Sequence, residues 1–146
     1  MRNYFLKLNR LAPAAMLITA AMGLSAYAQS GTPEATGTFH GQVHATSGKV
    51  AIYDGKNAEK TLRLTQFKTS NGPDVHVILI AANDAMDNDN FLDKKIDRVE
   101  LGKLKGNEGD QNYTIPAGTD LAKFKTVVIY CERFNATFGA APLEKF

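Results

Sequence analysis

Between Lys123 and Ala141 the chain reads KFKTVVIYCERFNATFGAA, an unbroken apolar run that ends on the sole cysteine and is followed by a second short aromatic run. Val127, Val128, Ile129 and Tyr130 have the β-branched and aromatic character of a strand buried on both faces. Such a strand needs apolar cover above and below, so the rest of the chain must supply layers around it. Cys131 falls where this strand leaves the core, which puts the thiol at a boundary. Whether that thiol reacts depends on its thiolate character and exposure.

The remaining segments read as strands separated by turns. Thr38 to Ala45 alternates, with Phe39, Gly41, Val43 and Ala45 on one face and His40, Gln42 and His44 on the other, the pattern of a half-buried antiparallel strand. Ser47-Gly48 supplies a turn, Lys49 to Tyr53 a return strand, Asp54-Gly55 the next turn, and Thr61 to Phe67 a strand with Leu62 and Leu64 inward. After the Asn71-Gly72-Pro73 break, Val75 to Ala81 is a central strand, apolar on both faces and a natural partner for the Cys131 strand. Arg98 to Leu101 and Gln111 to Ile115 add further strands. The connection from Ala82 to Asp97 is rich in Asp and Asn but lacks the D-x-D-x-D-G register of a calcium loop, so it reads as a mobile, solvated surface loop. No helical period stands out, and the expectation is all-β: an antiparallel β-sandwich, or a barrel-like sandwich, of about seven to nine strands.

The first 28 residues have the three parts of a cleaved secretory signal. Arg2, Lys7 and Arg10 form a positive start, Leu11 to Leu24 is apolar, and Ala26-Tyr27-Ala28 offers a cleavage site before Gln29. The apolar part contains Pro13 and Gly23 and falls short of the ~20 residues that span a bilayer, so no integral membrane segment is expected after cleavage. Export to the periplasm or the extracellular space follows, with residues 29–37 as a flexible lead-in and residues 38–146 as one domain. Of the 17 Lys and Arg, three lie in the signal, which leaves 14 against 15 Asp and Glu. This near-neutral balance offers no basic patch for nucleic acid. A single cysteine in an exported chain excludes an internal disulfide, so Cys131 is a buried filler, a reactive thiol or a ligand; the count alone favours the filler.

Five strings carry a resemblance: GPDVHVILI (72–80), VELGKLKG (99–106), QNYTIP (111–116), VVIYCERF (127–134) and FGAAPL (138–143). In this order and spacing the chain resembles the DM-thirteen domain family associated with Skeletor-type proteins, over roughly Thr38 to Leu143. The resemblance implies an extracytoplasmic β-sandwich with a role in electron transfer. It also implies that Cys131 acts as a naked redox thiol or as a ligand to a prosthetic group such as haem, and that the partner is a redox or surface protein. The family's Asp-x-His pair falls on Asp74 and His76.

Residue chemistry narrows these choices. Covalent c-type haem needs C-x-x-C-H and a dithiol site needs a second cysteine; the chain has neither. Blue copper needs two His and a Cys, usually with an axial Met, but no His follows Cys131 and Met86 in the acidic loop is the sole Met after the signal, which places copper behind haem. His40 and His44 stand four residues apart on one strand, about 13 Å, too far to hold one ion, and read as surface residues. What survives is a lone thiol, or Cys131 paired with His76 as catalytic or cofactor-binding residues, the two converging at one edge of the core with Asp74 orienting the imidazole. The plainer alternative has Asp74 capping the Gly72-Pro73 turn and His76 filling a core position. Two functions follow: a redox module working through Cys131, or a non-catalytic binding or adhesion domain in which Cys131 is packing. No hydrolase motif is present: G-x-S-x-G and H-E-x-x-H are both absent.

Overall fold

The computed structural model describes residues 31–85 and 95–146. The signal segment and the middle of the acidic connection, residues 86–94, lie outside them, and with them most of the loop expected to be solvated and free of calcium. The described residues form two antiparallel sheets packed face to face, the sandwich expected from the strand rhythm. Ten strands follow in chain order: β1 (Ala35–Thr38), β2 (His40–Gly41), β3 (Ser47–Asp54), β4 (Lys60–Lys68), β5 (Val75–Ile80), β6 (Arg98–Lys103), β7 (Gln111–Ile115), β8 (Thr126–Cys131), β9 (Ala136–Pro142) and β10 (Glu144–Lys145). One sheet has the order β10-β1-β3-β4-β7 and the other β2-β9-β8-β5-β6.

The core lies between the sheets. Val50, Ile52, Leu62, Leu64 and Phe67 from the first sheet meet Val75, Val77, Leu79, Val127, Ile129 and Cys131 from the second. β5 and β8 are hydrogen-bonded neighbours, Val75 opposite Cys131 through Ile80 opposite Thr126, as their shared apolar character suggests. Their other face is buried too, but not by a third sheet. Ile78, Ile80, Val128, Tyr130 and Ala140 form a second cluster with Ala85, against which Ala82 and Ile96 also pack. The two ends of the acidic connection thus cover the outside of the second sheet, which is why β5 and β8 are apolar on both sides.

Thr38 to Ala45 is not one strand. The chain leaves the first sheet at Thr38 and enters the second at His40, turning on Phe39, which is buried and stacks edge-on against Phe67 with centroids 5.3 Å apart. Burial of that one aromatic overrides the alternation: Val43, expected inward, is 45% exposed, and the chain beyond β2 runs on to bond the β9 backbone at Phe138 and Thr137. Ser47-Gly48 is part of β3 rather than a turn, opposite a bulge in β4: Ser47 pairs with Lys68 and Lys49 with Thr65, so Gly48 faces both Gln66 and Phe67. Gly48 has φ +115°, and a Cβ there would stand 2.8 Å from the Phe67 Cα, so this position needs glycine. At the other boundary the strand begins earlier than the lead-in suggested: Ala35 is fully buried, and the Glu34 amide donates to the Ile52 carbonyl.

Candidate functional site

Parts of the strings that carry the resemblance meet at one end of the sandwich, around Gly72, Lys103, Gly106 and Glu132. Gly72 lies flat on the core, where an added Cβ would stand 2.6 Å from a Val75 methyl and 2.9 Å from the Phe138 ring, so the turn into β5 is closed by contact rather than by side chains. The Leu104 amide donates to the Val75 carbonyl, and the Thr69 amide to the Asn107 carbonyl, which joins this turn to the one after β6. The second turn is pinned from β7: the Tyr113 hydroxyl accepts from the Lys105 amide and donates to Gln111, whose amide group donates to the Gly106 carbonyl. Residues 70–75 with Lys103, Leu104, Gly106 and Asn107 line a cavity of about 230 Å³.

Asp74 does not cap its turn. Its Oδ1 stands 3.0 Å from His76 Nε2 and 3.2 Å from Lys103 Nζ. His76 does not fill the inter-sheet core either; it projects from the outer face of β5, with a side chain only 13% exposed, and its Nδ1 meets Glu100 Oε1 at 2.6 Å. A β-bulge makes that contact. His76 pairs with Lys103 and Val77 with Gly102, but Ile78 pairs with Glu100, so Leu101 is the extra residue. In an unbroken ladder Leu101 would face outward and Glu100 inward; the bulge sends Leu101 into the core and Glu100 to the imidazole, with Gly102 at φ +128°. Glu132, just after β8, completes the group, and its amide donates to the Asp74 carbonyl at 3.0 Å. One donor atom from each of Asp74, His76 and Glu132 lies within 4.8 Å of the others.

The electrostatics follow from this crowding. Partial burial works against a charged His76, but hydrogen bonds to Glu100 and Asp74, with the nearby Glu132 charge, outweigh it and raise the imidazole above its usual 6.5. Hydrogen bonds from His76 and Lys103 hold Asp74 below its usual 3.8. A raised histidine stabilises the fold below its unfolded value and loses that contribution as pH rises through its folded one. A depressed aspartate stabilises above its unfolded value and loses it as pH falls through its folded one. The clamp therefore contributes most between about pH 4 and 6.5. In metal-free buffer His76→Gln should lower the melting temperature most near pH 5.5 and progressively less towards pH 9; a gap that is flat from pH 5.5 to 9 would refute the clamp.

Cys131 lies on the other side of the same sheet. It faces inward, paired with Val75 and Ala136 and 0% exposed, whereas His76 and its cross-strand partner Tyr130 face outward. The expected convergence of thiol and imidazole therefore does not occur, because adjacent residues of a strand point to opposite faces and the pairing of Val75 with Cys131 assigns the sulfur to the inner one. Arg133 is exposed in the following turn. Of the other histidines, His40 Nε2 bonds Asp84 at 2.8 Å, and the His44 ring packs edge-on against Phe138.

The model of the family described as Electron transfer DM13 matches residues 38–143, which takes in every strand from β2 to β9 and the whole of this end of the sandwich. The chain belongs to the DM13 family. No curated relative and no solved structure matches it. Within this DM13 domain Cys131 is sealed, and it lines neither the 230 Å³ cavity beside Asp74 nor a second one of about 520 Å³ over β1 and β3. A haem bound through Cys131 does not fit these surroundings, since a thiolate-ligated porphyrin needs the sulfur at the wall of a large pocket. A Cys-and-His copper centre is not assembled either, because the sheet separates Cys131 from His76 and, among the described residues, no three-residue group of metal-binding side chains contains Cys131.

The sequence reading missed Glu100 and Glu132. Gly102 inside a strand pattern was the available sign of the bulge that aims Glu100. Glu132 had no sequence sign beyond its place beside Cys131, since only strand pairing brings it to Asp74.

Proposed function

We propose that this DM13 domain is an exported electron carrier, with Cys131 as its redox centre and a redox protein docking on the end of the sandwich above it. The observation that carries this reading is the match of the electron-transfer family over residues 38–143. Export is supported by the character of residues 1–28, and among the described residues no helix is long and apolar enough to cross a membrane. Because Cys131 is buried, the step is not thiol–disulfide exchange: the docked redox protein, as a one-electron acceptor, takes an electron from the sulfur as the S–H proton leaves it, and the reverse step returns both to the thiol. The turn that follows it presents Phe134, 65% exposed, beside Arg133, an apolar contact with a charged rim of the kind small transient redox interfaces use.

The burial of Cys131 also favours a second reading, a non-catalytic binding domain in which the cysteine is packing. Spectroelectrochemical titration of the protein purified from its native compartment separates them. The carrier reading expects a redox couple that Cys131→Ala abolishes while the far-ultraviolet circular dichroism is unchanged, and whose exchange with the partner slows in Phe134→Ser. A couple that survives Cys131→Ala, or no couple at all, would overturn Cys131 as the centre.

A further inference from the structure

We propose that Asp74, His76 and Glu132 form a binding site for a first-row divalent transition metal, on the outer face of the second sheet and separate from Cys131. Ligands held at about 2.0–2.2 Å from an ion stand within about 4.4 Å of one another, so donors already within 4.8 Å need only small rotations to converge. Their frame is fixed by the backbone: Asp74 precedes β5, Glu132 follows β8, the two strands are paired, and the Glu132 amide donates to the Asp74 carbonyl.

Glu100 distinguishes this group from a chance cluster of surface carboxylates. Nδ1–H donates to Glu100 at 2.6 Å and Nε2–H to Asp74 at 3.0 Å, so loss of the Nε2 proton leaves a lone pair directed at the site. That is the arrangement in which an outer carboxylate fixes the tautomer and raises the basicity of a metal-binding histidine. The ion takes the place of the Nε2 proton between His76 and Asp74, and Glu132, being exposed, leaves room for water on the open side. Two cations already neighbour the carboxylates, Lys103 at 3.2 Å from Asp74 and Arg98 at 3.8 Å from Glu132. Lys103 is 76% exposed and can swing clear, so the incoming charge displaces it at little cost. One imidazole with two carboxylates and no sulfur suits ions from manganese to zinc over calcium or magnesium, with copper(II) bound most tightly. The site does not rest on the electron-transfer reading, and its test measures binding alone.

Titration of the protein with zinc against a chromophoric chelator at pH 7.5 decides it. One site is expected, weakened at least tenfold by His76→Ala and by Glu132→Gln, and about 10- to 100-fold by Glu100→Gln. Cys131→Ala and His40→Ala should bind as the parent does. Copper(II) should give an electron paramagnetic resonance spectrum with coupling to one imidazole nitrogen that is lost in His76→Ala. Glu132 is exposed, so Glu132→Gln remains a valid probe even if His76→Ala unfolds. Zinc affinity unchanged in Glu132→Gln, or no binding at 100-fold molar excess, would show that the group is a self-satisfied ion-pair network and overturn the proposal.

Discussion

Iodoacetamide is expected to alkylate Cys131 in the folded domain at least about a thousandfold more slowly than in the unfolded chain. The sulfur belongs to a fully buried residue that faces the inter-sheet core in a strand flanked on both sides, by β5 and β9, so the reagent reaches it only when that part of the sandwich opens. Native domains are stable by about 5–15 kcal/mol, and each 1.4 kcal/mol is a factor of ten, so opening that approaches global unfolding gives a suppression of three orders of magnitude or more. Because His76 faces away from the sulfur, His76→Ala should leave the rate unchanged once any loss of stability is allowed for. Mass spectrometry of timed samples, with and without urea, measures both. A native rate within tenfold of the unfolded one, slowed further by His76→Ala, would mean that thiol and imidazole do meet and that the pairing of β5 with β8 is misassigned.

Phe67→Ala should cost about 3–5 kcal/mol, a large share of the stability of a domain this size. The ring is almost wholly buried, it stacks edge-on with Phe39 at 5.3 Å, and its Cα is covered so closely by Gly48 that the backbone has no freedom to fill the void. Phe39 is also the residue on which the chain passes from one sheet to the other, so loss of its partner loosens the crossing as well as the core. The midpoint of urea unfolding should fall accordingly, with the slope kept. A loss under 1 kcal/mol would show that the crossing, and not the ring pair, anchors this region.

The positions of the elements and the position of the site were legible to different degrees. The strand that ends at Cys131, its neighbour from Val75, the inward Leu62 and Leu64, and the sandwich itself follow from runs of β-branched residues punctuated by Gly, Pro and Asn, because these patterns act within a few residues of each other. Thr38 to Ala45 was misread because its alternation is local whereas the burial of Phe39 against Phe67 is not. Asp74 and His76 were found together because a two-residue spacing on a strand fixes a shared face. Their Lys103, Glu100 and Glu132 neighbours were invisible, since each arrives from another strand or turn.

By itself, then, the sequence determined an all-β domain built around two doubly buried strands, with one cysteine at the end of one and an Asp-x-His pair at the start of the other. Only the tertiary structure decided which face each presents. Antiparallel pairing of Val75 with Cys131 sends the sulfur inward and His76 outward, and the extra residue at Leu101 turns Glu100 to meet the imidazole. Register is a property of two strands at once: a shift of one residue exchanges every face, and no pattern within a single strand carries that information.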